Sequence, residues 1–264
     1  MVECIIDTGR AYVMNSNRSL QEKTYIISGK EQLNLLDKIS VLRKKVWPDF
    51  LRLSDEIIFK VYERYPDFQI SLLNEERELI GIANSIPLTW TNSFSELPNE
   101  GLNWIMDTGL KREQNIRSAN TLGALSITVA PADRNQGISK ILLHYLKRVA
   151  ITHDLMSLIV PARPNLKSMY PLIPIEQYIT WKKEGLIFDP WLRTHCSLGA
   201  HLINICHRSA CITATIEQWE QWTGVKFPND GDYVIKEALT PVKMDYMNNL
   251  GTYIEPNVWV YYPI

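Results

Sequence analysis

The sequence predicts a mixed α/β sheet carrying helices, with a second, aromatic-rich region folded onto it. Three observations lead there. Between residues 24 and 160, apolar positions recur at strand and helix periods in the order β-α-α-β-β-(α)-β-α-β. The chain has 264 residues, 45% of them hydrophobic, which is enough to bury a full core. The run TVAPADRNQGISKILLHYLKRVA passes from a strand pattern through a one-glycine turn straight into an amphipathic helix pattern.

The elements follow in order. Residues 1–23 have weak periodicity and read as an arm. Tyr25, Ile26 and Ile27 make a short strand. Leu33, Leu36, Ile39, Leu42 and Val46 recur every three or four residues, so residues 30–46 read as a helix that ends before Pro48. Ser54 is placed to cap a second helix, with Ile57, Ile58, Val61 and Tyr65 on one face. Residues 68–73 and 79–86 read as strands, and the short polar turn NEERE between them implies a hairpin. A short helix is expected around residues 102–110. A strand at 122–129, a helix at 139–152 and a strand at 157–160 complete a core of residues 24–160. Pro161, Pro164, Pro171 and Pro174 then crowd one stretch, and tryptophan-rich segments follow. Residues 161–264 are thus a second region that completes the sheet and the substrate side.

Composition narrows the function. With 28 basic against 29 acidic residues, there is no excess for a nucleic-acid polyanion, but a small anion needs only local donors. No apolar run approaches the roughly 18 residues of a membrane span. The N-terminal stretch lacks the basic start, apolar run and small-residue cleavage site of a signal peptide. The four cysteines form no CxxC pair, so a reduced, cytoplasmic setting is expected. Cys196, Cys206 and Cys211 are spaced C-x9-C and C-x4-C, which matches no zinc ribbon or finger, and no metal is expected. None of the cysteines has an identifiable activating setting.

The 128–150 run carries the strongest chemical signal. Leu125, Ile127 and Val129 alternate with Ser126 and Thr128, and Pro131 ends the pairing. Gly137 permits a positive φ or a close ligand approach, and Ser139 is placed to cap the next helix. Ile141, Leu142, Tyr145, Leu146 and Val149 fasten that helix to the sheet. Its free first-turn N–H groups would then suit a pyrophosphate, with Arg134 adding a charge-assisted bond. The turn is neither a Walker loop nor GxGxxG.

Arg134-x-x-Gly137-x-Ser139 resembles the [Q/R]-x-x-G-x-[G/A] signature of the GNAT superfamily of acyl-CoA-dependent N-acetyltransferases, with Ser139 where Gly or Ala is usual. LSITVAPADR looks like that family's fourth strand. PARPNLKSMYPLIPIEQYITW, FDPWLRTHCSLGA, WTG and YIEPNVWV resemble the GNAT-like proteins of polyketide and peptide–polyketide assembly lines. The resemblance implies a GNAT fold with acyl-CoA as co-substrate. It places amides of Asn135, Gln136, Gly137, Ile138 and Ser139 on the pyrophosphate, and strand backbone near Ile127 and Val129 along the pantetheine. It also implies a phosphopantetheine carrier protein as a partner. Acyl transfer to a carrier thiol or an amine leads. Decarboxylation of a malonyl-type thioester, or a scaffold that binds CoA without turnover, stands as the alternative.

The side chains bear on that choice. Residues 122–129 hold no Asp or Glu to serve as a base, and Asp133 in the turn is poorly placed. Tyr170 or Tyr178 falls where the family often has an acid for the leaving thiolate. An enolate instead needs hydrogen-bond donors, and His195, Arg163, Arg208 and the Trp47 indole can donate. His195, Tyr170 and Arg208 are therefore the expected catalytic residues. Trp181, Trp191, Trp219, Trp222 and Trp259 read as core.

Overall fold

A computed structural model of the chain describes residues 4–7, 10–13, 23–111 and 118–264. Its strands in chain order are β1 (Cys4–Asp7), β2 (Arg10–Val13), β3 (Lys23–Ser28), β4 (Gln69–Leu73), β5 (Leu79–Leu88), β6 (Thr121–Val129), β7 (Ser157–Ala162), β8 (Lys182–Lys183), β9 (Leu186–Ile187), β10 (His201–Ala214), β11 (Gly231–Tyr233), β12 (Val242–Asp245) and β13 (Leu250–Pro263). All but β8 and β9 form a single sheet in the order β1-β2-β3-β4-β5-β6-β7-β13-β12-β11, with β10 also paired to β13. Every pairing is antiparallel except β6 with β7. Within the expected N-terminal arm, β1 and β2 are strands that extend the sheet past β3. The arm's residues 1–3, 8–9 and 14–22 lie outside the described residues.

The helices are α1 (Leu36–Val46), α2 (Asp55–Arg64), α3 (Gly101–Met106), α4 (Ile138–Thr152), α5 (Ile175–Tyr178), α6 (Pro190–Ser197) and α7 (Ile216–Thr223). The helix expected over residues 30–46 begins as a 3-10 turn, Gly29–Leu35, and becomes α-helical only at Leu36. Ser54 caps α2 as expected, accepting from the Ile57 N–H. The hairpin of β4 and β5 also forms as read.

Alternation along the strands sorts the helices into two layers. Ile82 of β5 packs with Leu35, Ile39, Ile58 and Tyr62 under α1 and α2. Its neighbour Gly81 points the other way, where an added Cβ would lie 3.1 Å from Ile138 and Leu142 of α4. On β13, Tyr253 meets Phe50 of the α1–α2 loop, and Trp259 meets Trp104 of α3. Tyr262, of opposite parity, faces α6 through His195 and α4 through Lys147. So α1, α2 and α3 cover one face, and α4 and α6 the other. Trp219 and Trp259 are fully buried core.

Candidate active site

The sheet opens at its centre. β6 and β7 pair only from Thr121↔Ser157 to Gly123↔Ile159. Beyond Gly123, β6 still pairs with β5 as far as Val129, and β7 still pairs with β13 as far as Ala162. Two local features end the shared ladder. In the β5–β6 register Asn84 faces Ser126 while Ser85 faces Ala124, so Leu125 is an extra residue. Such a bulge bends its strand and ends pairing. On the other side, Pro161 has no N–H to give to a ladder. It lies inside β7, which runs two residues past the strand read from sequence. The outcome is a V-shaped gap, with the free edge of β6, including Ile127 and Val129, as one wall.

The cradle lies past the end of that wall. A 3-10 turn, Pro131–Asp133, leads to Arg134, then to Asn135 at φ 64° and Gly137 at φ 83°. Gly137, not Ser139, is the N-cap of α4. Ser139 sits within the first turn and makes no capping bond. Among the described residues, the backbone N–H groups of Asn135, Gln136, Gly137, Ile138 and Ser139 have no protein acceptor. They are fixed but unsatisfied, with the positive end of a 15-residue helix behind them. Arg134, Asn135, Gln136 and Gly137 are exposed, Ser139 is half-buried and Ile138 is buried as an anchor.

The α1–α2 loop crosses the gap on one face. The Trp47 indole donates to Thr128 Oγ1 of β6 at 2.9 Å. Phe50 packs on Trp219 and Tyr253 of the other half, with centroids 5.6 and 5.5 Å away. The Trp47 donor is therefore committed. Beside this loop, Arg163 directly follows β7. Its Nε donates to Glu255 Oε2 of β13 at 2.9 Å, and its Nη2 donates to the Glu237 carbonyl. Tyr253 OH donates to the same Glu255 oxygen at 2.8 Å. Glu255 is 3% exposed. The carboxylate that β6 lacks thus comes from the last strand. Sequence reading missed it, because only the pairing of β13 with β7 brings residues 92 apart together. Its signal was a Glu within an otherwise apolar, aromatic strand.

His195 is buried on α6 over the opposite face. Its Nδ1 lies 2.7 Å from Tyr262 OH, and Trp191 packs on its ring at 4.4 Å. Tyr262 faces Leu158, one residue before the last β6–β7 pair, so His195 hangs near the apex of the V. Burial pushes its imidazole down to about 3, so it is neutral near pH 7. Its Nε2 is buried without a partner. If the Tyr262 hydroxyl donates to Nδ1, the proton sits on Nε2 and one polar group is left unmatched. The other tautomer leaves both Nε2 and the phenol proton unmatched. The network therefore assigns a neutral ring with an Nε2–H donor.

The expected catalytic set is not assembled in one place. Among the described residues, no hydrogen bond, ion pair or ring contact joins His195, Tyr170 and Arg208. Tyr170 sits in a cluster with Tyr178, Trp181 and Phe188. Arg208 is exposed on β10, where its N–H donates to Asn99 O. The Tyr178 hydroxyl is taken by buried Asp189, which also accepts from the N–H groups of Leu166, Trp191 and Leu192. Burial and that carboxylate push the Tyr178 phenol up. Burial likewise pushes the Cys206 thiol up to about 12. Among the described residues, no group of three or more His, Cys, Asp or Glu side chains could hold a metal ion, and no helix is long and apolar enough to cross a membrane. A cavity of about 400 Å³ beside Phe68, Pro87 and Thr152 lies at the far end of α4 from the cradle.

No family model matches the chain. A curated relative, arginine N-acetyltransferase avaD of Aspergillus versicolor, is 32% identical across 83% of this chain and 86% of its own length. Among solved structures, the loading GNATL domain of CurA from Lyngbya majuscula superposes with a TM-score of 0.61 at 19% identity, covering 91% of this chain and 97% of that one. The GphF GNAT-like decarboxylase in complex with isobutyryl-CoA superposes with a TM-score of 0.59 at 17% identity, covering 90% and 98%. The two structures agree on the fold, and the curated relative extends the agreement to sequence over most of both chains: this protein belongs to the GNAT superfamily.

Proposed function

We propose that this chain transfers an acyl group from acyl-CoA to an amine. The observation that carries the reading is the union of the split between β6 and β7 with the unsatisfied amides of Asn135 to Ser139 past its end. A pyrophosphate is a chain of anionic acceptors and suits the cradle. A pantetheine arm is a narrow chain of amides and suits the bare edge of a strand, where Ile127 and Val129 lie. The relative named as an arginine N-acetyltransferase supports a nitrogen acceptor.

In the step we draw, the acceptor amine, having first given one proton to solvent, attacks the thioester carbon through its free lone pair, and the carbonyl oxygen becomes an oxyanion. The His195 Nε2–H donates to that oxyanion, a role in which a neutral, desolvated donor is most effective. The C–S bond then breaks, and CoA leaves as a thiolate that takes up a proton. We assign that proton to solvent, since Tyr170 packs with Tyr178, Trp181 and Phe188 away from His195 and the Tyr178 hydroxyl is bound to Asp189. The proton lost by nitrogen goes to solvent. Arg208 has no part in this scheme. A place in natural-product assembly, with a carrier-protein thiol as acceptor, is a variant of the same chemistry.

A second reading rests on one observation, the buried and unmatched Nε2–H of His195, in a chain whose β6 carries no carboxylate. That arrangement also suits an enolate formed when a malonyl thioester loses CO2, the C–C electron pair moving onto the thioester oxygen. Incubation with acetyl-, malonyl- and methylmalonyl-CoA, with L-arginine or a carrier protein, read by mass spectrometry, separates the two. We expect acetylated arginine and intact malonyl-CoA. Release of CO2 without any acylated product would replace transfer by decarboxylation.

A further inference from the structure

On the face crossed by the α1–α2 loop, β13 presents Tyr253, Glu255, Asn257 and Trp259 in alternation. Two of these side chains keep an unused acceptor. Asn257 is 3% exposed, and its Nδ2 donates to Ser209 Oγ at 2.8 Å and to the Pro161 carbonyl at 3.3 Å. The Pro161 carbonyl can only accept, so it fixes which end of the amide is nitrogen. Asn257 Oδ1 is then buried with no partner. Glu255 takes both its donors, Arg163 Nε and Tyr253 OH, on Oε2. Among the described residues, Oε1 accepts nothing. Pro161 belongs to the stretch of β7 that β6 has left, and Arg163 follows the end of that strand. These acceptors therefore stand along the wall of the V opposite β6. The Arg163 side chain is 18% exposed, which opens the group to solvent on that side.

We infer that Glu255 Oε1 and Asn257 Oδ1 together form the subsite for the acyl acceptor, and that its ligand is a nitrogen group bearing two or more N–H bonds, a guanidinium or a primary ammonium. Two acceptors on one strand face, each without a donor among the described residues, call for donors that a thiol or hydroxyl, with one proton each, cannot supply to both. Arg163 neutralises Glu255, and Tyr253 holds the same oxygen. Glu255 is thereby set to bind and orient the nitrogen through its free Oε1. The inference rests on the acyl-transfer reading for its place in the reaction, but not for the binding itself.

The substitution Glu255→Gln tests it. Arg163 and Tyr253 would still claim the side-chain oxygen, which turns the new NH2 to the free side and converts an acceptor into a donor. Asn257→Ala removes the other acceptor. For each variant, L-arginine and n-butylamine are titrated as acceptors at saturating acetyl-CoA, with CoA affinity by calorimetry and thermal melting as controls. The expected result is a KM for the nitrogen probe raised at least tenfold, with kcat changed less than threefold and CoA affinity unchanged. An unchanged KM in a folded, CoA-binding variant overturns the subsite, as does wild-type protein that acylates pantetheine but neither nitrogen probe. If wild-type protein fails to bind acyl-CoA, the acyl-transfer reading falls. Calorimetric titration with L-arginine alone then decides the subsite: heat lost in Glu255→Gln sustains it, and no heat with wild type overturns it.

Discussion

Replacing Gly137 by Asp tests the cradle, because the structure separates its two costs. At φ 83° an L-residue is strained, by about 1–2 kcal/mol. An added Cβ would meet nothing within 4 Å, so no steric term is added. Gly137→Ala carries the strain alone, and Gly137→Asp adds one negative charge beside the proposed pyrophosphate. At about 5 Å, one pair of like charges costs roughly 3 kcal/mol at an effective dielectric of 20 and below 1 kcal/mol in bulk water. Because the turn is exposed, the cost should fall between these limits, a loss of about 10- to 100-fold in affinity. CoA binding by calorimetry should rank wild type, then Ala, then Asp, with the gap between Ala and Asp narrowing as salt rises. Equal CoA affinity in the Ala and Asp variants, at low salt and with intact folds, would refute the phosphate cradle.

Other consequences follow from named contacts. Trp47→Phe keeps a ring but loses the bond to Thr128, which should cost about 1 kcal/mol. Melting should drop by about 2–4 °C, with a raised KM for the acceptor as the loop loosens. His195 is held neutral to about 3, while its unfolded value is near 6.5. As pH falls below 6.5 the unfolded chain takes up a proton that the folded one refuses, so stability is lost by up to about 1.4 kcal/mol per pH unit. Urea unfolding at pH 7, 5.5 and 4.5 should show part of this slope vanish in His195→Gln, and an identical slope would argue against the buried ring. Asp189→Asn leaves a four-donor hub short of acceptor strength, at a cost of about 2–4 kcal/mol, while CoA affinity stays near wild type.

What sequence could show was local. The strand, turn and helix around Gly137 are encoded by neighbours in the chain, and the signature there resembled the family to which the chain belongs. Ser139 was misplaced as a cap because Gly137 and Ser139 are both acceptable cap residues, and only the φ of Gly137 decides. The bulge at Leu125 cannot be read from β6 itself, since it exists only in the register with β5. Pro161 looked like the start of a loop because a paired strand rarely tolerates proline. It is held in β7 by β13, from the end of the chain. Glu255 and Asn257 were invisible for the same reason, as were the committed state of Trp47 and the burial of His195. These contacts join residues 48 to 96 apart, and no periodicity reports them.

The central claim is that acyl-CoA lies in the split, with its phosphates at the start of α4 and its arm along β6. Amide hydrogen exchange of the intact chain, with and without acetyl-CoA, reads this directly. Protection should rise at least tenfold at residues 135–139 and along 125–129, with little change in β4 or β12. Saturating acetyl-CoA that leaves both segments exchanging as in the free protein, or that protects some other region instead, would contradict it.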